Sequence, residues 1–171
     1  MNNLFIEDYE VFASDKYKIM PCIVRLFRNH ELRYCFWGRK NQTTRTNIGR
    51  VITSAILHKY RRKYGMEISF KNVGGGIRFI HPWNITINAN ATIKEHVTLY
   101  KGCTIGEIVG GGGSGNPVIE RNVTVYANAT ICGNIRIGEN SIVSAGAFVN
   151  FDVPENSIII GNPGVIHSKN I

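Results

Sequence analysis

The chain has 171 residues, 43% of them hydrophobic, with 18 glycines and a formal net charge of +8. That length suits one domain with a core of its own. No apolar run approaches the roughly 20 residues needed to span a bilayer, and Glu7, Asp8 and Glu10 stand where the apolar stretch of a signal peptide would lie. The cysteines, Cys22, Cys35, Cys103 and Cys132, are scattered without metal-ligand spacing, so a reduced, cytoplasmic protein is expected, with no metal. Charge is uneven: residues 1–65 hold thirteen Lys and Arg against five Asp and Glu, whereas residues 66–171 hold seven of each.

Residues 1–65 read as a small, basic helical segment. Met20, Ile23, Val24 and Phe27 share one face at helical spacing, with Asp15 as the expected N-cap. A second helix is expected from about His30 to Trp37. A third begins at Thr46 or Asn47, carries Ile48, Val51, Ile52, Ala55, Ile56 and Tyr60 on one face, and ends at Gly65. That stripe is expected to dock on the open end of the segment that follows. The densest charge cluster is Lys59, Arg61, Arg62 and Lys63. Two readings stand for it: a solvated helix face, or a peripheral contact of residues 59–63 with an anionic surface, polymer or lipid-linked substrate. No nucleic-acid recognition motif accompanies the charge, and no nucleic-acid partner is expected.

From about Glu67 a six-residue rhythm takes over. Ile87, Ile93, Leu99 and Ile105 keep it, and so do Ile119, Val125, Ile131, Ile137, Val143 and Val149. A second inward set lies four residues after each of Ile119 to Val149: Val123, Ala129, Ile135, Ser141, Ala147 and Val153. A fixed period of this kind marks a solenoid of short strands and turns, here an all-β solenoid with three units to a triangular coil. Asn and Gly at the corners tolerate positive φ. The domain reading is therefore a helical segment over 1–65 and a repeat domain over 66–171, with a loop at 106–118 and a C-terminal tail.

The rhythm breaks twice. Two residues are inserted just after His81. A longer gap between Ile105 and Ile119 holds Gly110-Gly111-Gly112-Gly113-Ser114-Gly115, which packs no core and must loop out. It lacks the Lys-Ser/Thr ending of a P-loop. It reads either as a flexible connector or as backbone that a ligand approaches closely.

Over roughly residues 60–167 the chain resembles the hexapeptide-repeat acyltransferases. Gly65-Met66-Glu67-Ile68, Val73-Gly74-Gly75-Gly76-Ile77, His81-Pro82, Asn116-Pro117-Val118-Ile119, Ser144-Ala145-Gly146-Ala147 and Gly161-Asn162-Pro163-Gly164 carry the likeness through their order and spacing. Within the family, the chain looks like the serine acetyltransferases and their relatives that O-acetylate capsular polysaccharide. The resemblance implies a left-handed parallel β-helix assembled as a homotrimer, with acetyl-CoA as co-substrate in a groove between subunits. It implies His81 as general base, with Glu67 as the acid that orients it across a segment one residue shorter than usual. It implies cofactor contacts at Gly106, Ala127, Ala145 and Gly146, with the glycine loop as cover. Serine acetyltransferases carry an Asp where Ile80 stands and an Arg-His pair where Gly115-Asn116 stand. Phe148-Val149-Asn150-Phe151-Asp152-Val153-Pro154 resembles the polysaccharide relatives. The leading expectation is an O-acetyltransferase acting on a sugar or surface-polysaccharide precursor. Serine O-acetylation is the alternative enzyme reading, and a non-catalytic scaffold or binding module the alternative from another class. Trp83 reads as an acceptor-stacking ring or as a core or trimer contact. Among the other histidines, His96 falls at an exposed corner, His30 and His58 in the helical part, and His167 in the tail.

Overall fold

The computed structural model describes residues 2–16, 18–111 and 113–169. Four helices come first: α1 (Asn3–Ala13), α2 (Ile19–Arg28), α3 (His30–Thr43) and α4 (Asn47–Tyr64). Their ends follow local chemistry. The Asn2 side chain accepts from Leu4 N, and Thr46 Oγ1 accepts from Gly49 N at 3.2 Å, so both caps satisfy a free helix donor. α4 stops at Gly65, in the left-handed region at φ 66°. The left-handed backbone there favours glycine, and a Cβ would lie 2.2 Å from Asn84 Oδ1, so that side chain would have to turn aside. α2 starts after Lys18, with no side-chain cap, rather than at Asp15.

The helical part is larger than the expected three helices. α1 is the addition. The expected docking face of α4 is also corrected: Ile48, Val51 and Ile52 are exposed. The docking on the coil is done instead by α1 and α3, whose Phe5, Tyr9, Leu32, Tyr34 and Cys35 join Met66, Ile68 and Phe70 in one continuous core. A buried pair ties the two parts together. Arg39 on α3 donates through Nε to Asp8 Oδ2 at 2.8 Å and through Nη2 to Asp8 Oδ1 at 3.0 Å. The same guanidinium donates to the carbonyls of Val73 and Gly74, and Asp8 Oδ1 also accepts from Ile77 N at 3.0 Å.

The rest winds as a three-sided coil. One sheet stacks β1 (Glu67–Ile68), β3 (Thr86–Ile87), β6 (Thr104–Gly106), β9 (Thr130–Cys132) and β12 (Phe148–Val149). The second stacks β4 (Thr92–Ile93), β7 (Val118–Ile119) and β10 (Arg136–Ile137). The third stacks β2 (Arg78–Ile80), β5 (Thr98–Tyr100), β8 (Thr124–Val125), β11 (Ile142–Val143), β13 (Ser157–Ile160) and β14 (Val165–Ser168). Every pairing is parallel except β13 with β14, which closes the C-terminal end as a hairpin.

The rhythm maps onto this coil directly. Ile119, Val125, Ile131, Ile137, Val143 and Val149 are fully buried, and the second set from Val123 to Val153 lines the same core. Each such Val or Ile contributes roughly 1.5–3 kcal/mol by leaving water. The corners stack as well: Asn122 Nδ2 donates to Asn140 Oδ1 at 3.1 Å, and Asn140 Nδ2 to Asn156 Oδ1 at 3.3 Å. The gap from Ile105 to Ile119 replaces a single step from the first sheet to the second. One corner is therefore enlarged by eight residues, and no strand unit is missing.

Candidate active site

His81 leaves β2 in the corner that leads from the third sheet back to the first. Its φ is 51°, left-handed for a residue that has a Cβ. The other left-handed non-glycine residues of the coil fall in two corner columns: Asn84 and Asn128 in one, His96, Asn122, Asn140 and Asn156 in the other. His81 stands outside both, in the two-residue insertion. Trp83 N donates to its carbonyl at 2.8 Å, Lys101 N to Ile80 O at 3.1 Å, and Gly102 N to Trp83 O at 2.8 Å. Asn84 N donates to Tyr64 O at 2.9 Å, which anchors the corner to α4. Backbone bonds on both flanks thus hold an uncommon conformation, as is usual where a side chain is presented for use. The imidazole is exposed, and among the described residues it has no side-chain hydrogen-bond partner, so both nitrogens are open to a ligand.

The same edge carries Ala127, Ala145 and Gly146. Asn128 N donates to Lys101 O at 3.0 Å, and Gly146 N to Ala127 O at 2.9 Å, so the corners form one ladder. From the His81 corner to the Ala145 corner is three coil steps, about 14 Å at the usual spacing of paired strands. A Cβ on Gly146 would meet nothing within 4 Å, so the edge is open along this side. The structure therefore brings together four of the six expected residues: His81, Ala127, Ala145 and Gly146.

It does not bring in the other two. Gly106 and the glycine loop lie on a different edge, between the first and second sheets. There Gly133 N donates to Gly106 O at 3.3 Å, Ile108 and Gly115 pair antiparallel, and Val109 projects into solvent. Glu67 does not bond His81. It pairs with Arg61 Nη2 at 2.7 Å, in a cleft of about 530 Å³ that Tyr34, Ser54, His58 and Gly106 also line. Glu67 stands at the start of the first sheet, where its carboxylate faces Arg61 of α4.

The sequence reading missed three residues on the His81 edge. Tyr100 is the register partner of Ile80, and its ring stacks on that of Tyr126 at 4.7 Å between centroids and 25° between planes. Lys101 follows, exposed, one rung from His81. Once the eight loop residues are subtracted, Tyr100 and Tyr126 are one coil apart, so the signal was present but out of phase. No Asp or Glu occurs in the corner segments 80–85, 100–103, 126–129 or 144–147. Trp83 is half exposed and packs edge-on against Tyr64 at 5.0 Å, so it is a contact of the helical base. No group of three His, Cys, Asp or Glu among the described residues could hold a metal ion.

Residues 116–150 match the bacterial transferase hexapeptide model of six repeats. The serine acetyltransferase of Synechococcus elongatus is 35% identical over 115 residues, 67% of this chain and 47% of that protein. The Neisseria gonorrhoeae serine acetyltransferase structure overlays with a TM-score of 0.80 at 22% identity, covering 98% of this chain and 66% of that one. Soybean serine acetyltransferase complexed with serine gives a TM-score of 0.77 at 25% identity, covering 96% and 68%. Serine acetyltransferases are thus homologues of this chain, which carries the hexapeptide-transferase repeat. The chain spans about half the length of the curated relatives it matches.

Proposed function

We propose that the chain transfers an acetyl group from acetyl-CoA to a hydroxyl, with His81 as general base and L-serine as the favoured acceptor. The exposed, unpaired His81, held left-handed on an open edge, carries the reading. A hydroxyl attacking a thioester needs a base beside it, and imidazole is the side chain most often used for that task. His81 takes the hydroxyl proton as the oxygen bonds to the thioester carbonyl carbon. The C–S bond then breaks, and the thiol of CoA leaves with that proton. An extended arm laid along Ala127, Ala145 and Gly146 would reach His81 over the three coil steps. Serine is favoured because the homologues are serine acetyltransferases and one neighbour was solved with serine bound. Lys101 adds a cation one rung from His81, which a free carboxylate requires.

A sugar hydroxyl is the second reading. The His81 edge has no carboxylate to meet an ammonium, and the stacked Tyr100 and Tyr126 offer an apolar plate to a neutral ring. Thiol release from acetyl-CoA, measured with L-serine and with sugar acceptors in parallel, separates the two. Turnover with sugars and none with serine would overturn the favoured acceptor. No release with any hydroxyl would return the chain to a scaffold or binding module.

A homotrimer belongs to the same proposal. On one chain the base and the glycine loop lie on different edges, so the loop and Gly106 would cover the His81 edge of a neighbour. Glu67 is proposed to act from the cleft it shares with Arg61, positioning acceptor or imidazole. The left-handed sense of the coil, the division at residue 65 and a cytoplasmic setting complete the reading. All four cysteines are free, which supports a reducing compartment.

A further inference from the structure

α2 turns a continuous apolar stripe to solvent. Ile19, Met20, Ile23, Val24 and Phe27 are all exposed, Phe27 by 78%. Their spacing is that of one helical face. The opposite face is fully engaged: Cys22 is buried, Leu26 packs on the core, and Arg25 donates to the Tyr9 hydroxyl at 2.8 Å. The stripe is thus not the inner face of a loosely docked helix. Scattered exposed apolar residues are ordinary, whereas five on a ten-residue helix form a patch with a use.

The charge around it is predominantly positive, with exposed Asp15 just ahead of Lys16 as the adjoining carboxylate. All thirteen Lys and Arg of the helical part lie within residues 16–63, where Glu31 is the single carboxylate. Lys16, Lys18 and Arg28 are exposed beside the stripe. Among the described residues, no helix is long and apolar enough to cross a membrane.

We propose that α2 docks on an anionic lipid surface. Its stripe enters the headgroup boundary, and Lys16, Lys18 and Arg28 meet the lipid phosphates. A second copy of the same face would set like charges against each other. A nucleic acid would pair with the cations and leave the stripe in water. An anionic bilayer satisfies both halves of the surface. The proposal is independent of the acyl-transfer reading.

The test is sedimentation of the full chain with vesicles of phosphatidylcholine alone, and of phosphatidylcholine mixed with phosphatidylglycerol. Binding to the mixed vesicles is expected, weakened by salt, with little binding to the neutral ones. Ile23→Ser with Phe27→Ser should lower the partition coefficient about ten-fold or more. Neutralising Lys16, Lys18 and Arg28 to Gln should lower it by a similar factor. These side chains are exposed, so circular dichroism and the thermal midpoint should stay as in the parent. No binding to the mixed vesicles, equal binding to neutral ones, or an unaffected serine pair would each overturn the proposal. So would loss of an oligomer in the serine pair without any vesicle binding, which would place the stripe between copies.

Discussion

Arg39→Met should loosen the helical base from the coil. The methionine keeps most of the stem volume and removes the guanidinium, which is 1% exposed. Asp8 is equally buried and would be left without its partner, and the Val73 and Gly74 carbonyls would lose their donor. Removing one partner of a buried, well-bonded pair costs about 3–5 kcal/mol. Against a total of roughly 5–15 kcal/mol, that is a large fraction. Asp8→Leu with Arg39→Met should recover only part of the loss, because the two carbonyls and Ile77 N stay unpaired at about 1–3 kcal/mol each. The pH dependence has a definite sign. Burial pushes the Asp8 carboxyl above its ordinary value, and Arg39 opposes that shift. Without Arg39 the rise is larger. Folding then favours protonated Asp8, and stability falls as pH rises through the folded value. The deficit of Arg39→Met should therefore shrink on acidification. Urea unfolding at neutral and acidic pH, followed by circular dichroism, measures both effects. A loss below about 1 kcal/mol at neutral pH, or a deficit that grows on acidification, would refute the reasoning.

His81→Gly should lower acetyl transfer by about two orders of magnitude or more while retaining or raising the thermal midpoint, since glycine relaxes the left-handed corner; a steady-state rate and a melting curve on the same sample check it. Gly138→Ala should destabilise by about 2–4 kcal/mol, because its Cβ would lie 2.3 Å from Glu155 N, and a thermal midpoint measures the loss. Burial pushes the Cys103 thiol up to about 12, so mass spectrometry after mild alkylation should find Cys103 unmodified until the chain unfolds, with half-buried Cys132 labelled first. Shortening the loop by the eight residues 107–114 should leave the midpoint within a few degrees, since Glu107, Val109, Gly110, Gly111, Gly113 and Ser114 are exposed, and raise KM for acetyl-CoA in the kinetic assay.

The coil was legible because its core obeys a count: Ile119 to Val149 face inward at a fixed step, and chain order alone places them. The left-handed corners were legible through Asn and Gly, and His81 through the break beside it. What a count does not carry is direction. It gave the length of the glycine loop without showing that it leaves by another edge than His81. The family resemblance paired Glu67 with His81, whereas in the structure that carboxylate pairs with Arg61. α1 escaped notice because Asp8 interrupts its apolar pattern, and Asp8 is inside only because Arg39, 31 residues away, meets it there. The α4 stripe was taken for a core face, since spacing tells that residues share a side and not which side is covered.

The ladder of corners along the His81 edge has a modular reading. Ala127, Ala145 and Gly146 sit on the third and fourth turns of the coil, while His81, Lys101 and the base formed by the helices sit at the first and second. Neighbouring turns touch only each other. Under the proposed reaction, the proposed donor contacts and the proposed base corner thereby fall on separable stretches of chain. Exchanging residues 1–101 would move the helical base, the His81 corner and Lys101 as one piece and leave Tyr126, Ala127, Ala145 and Gly146 on the later turns.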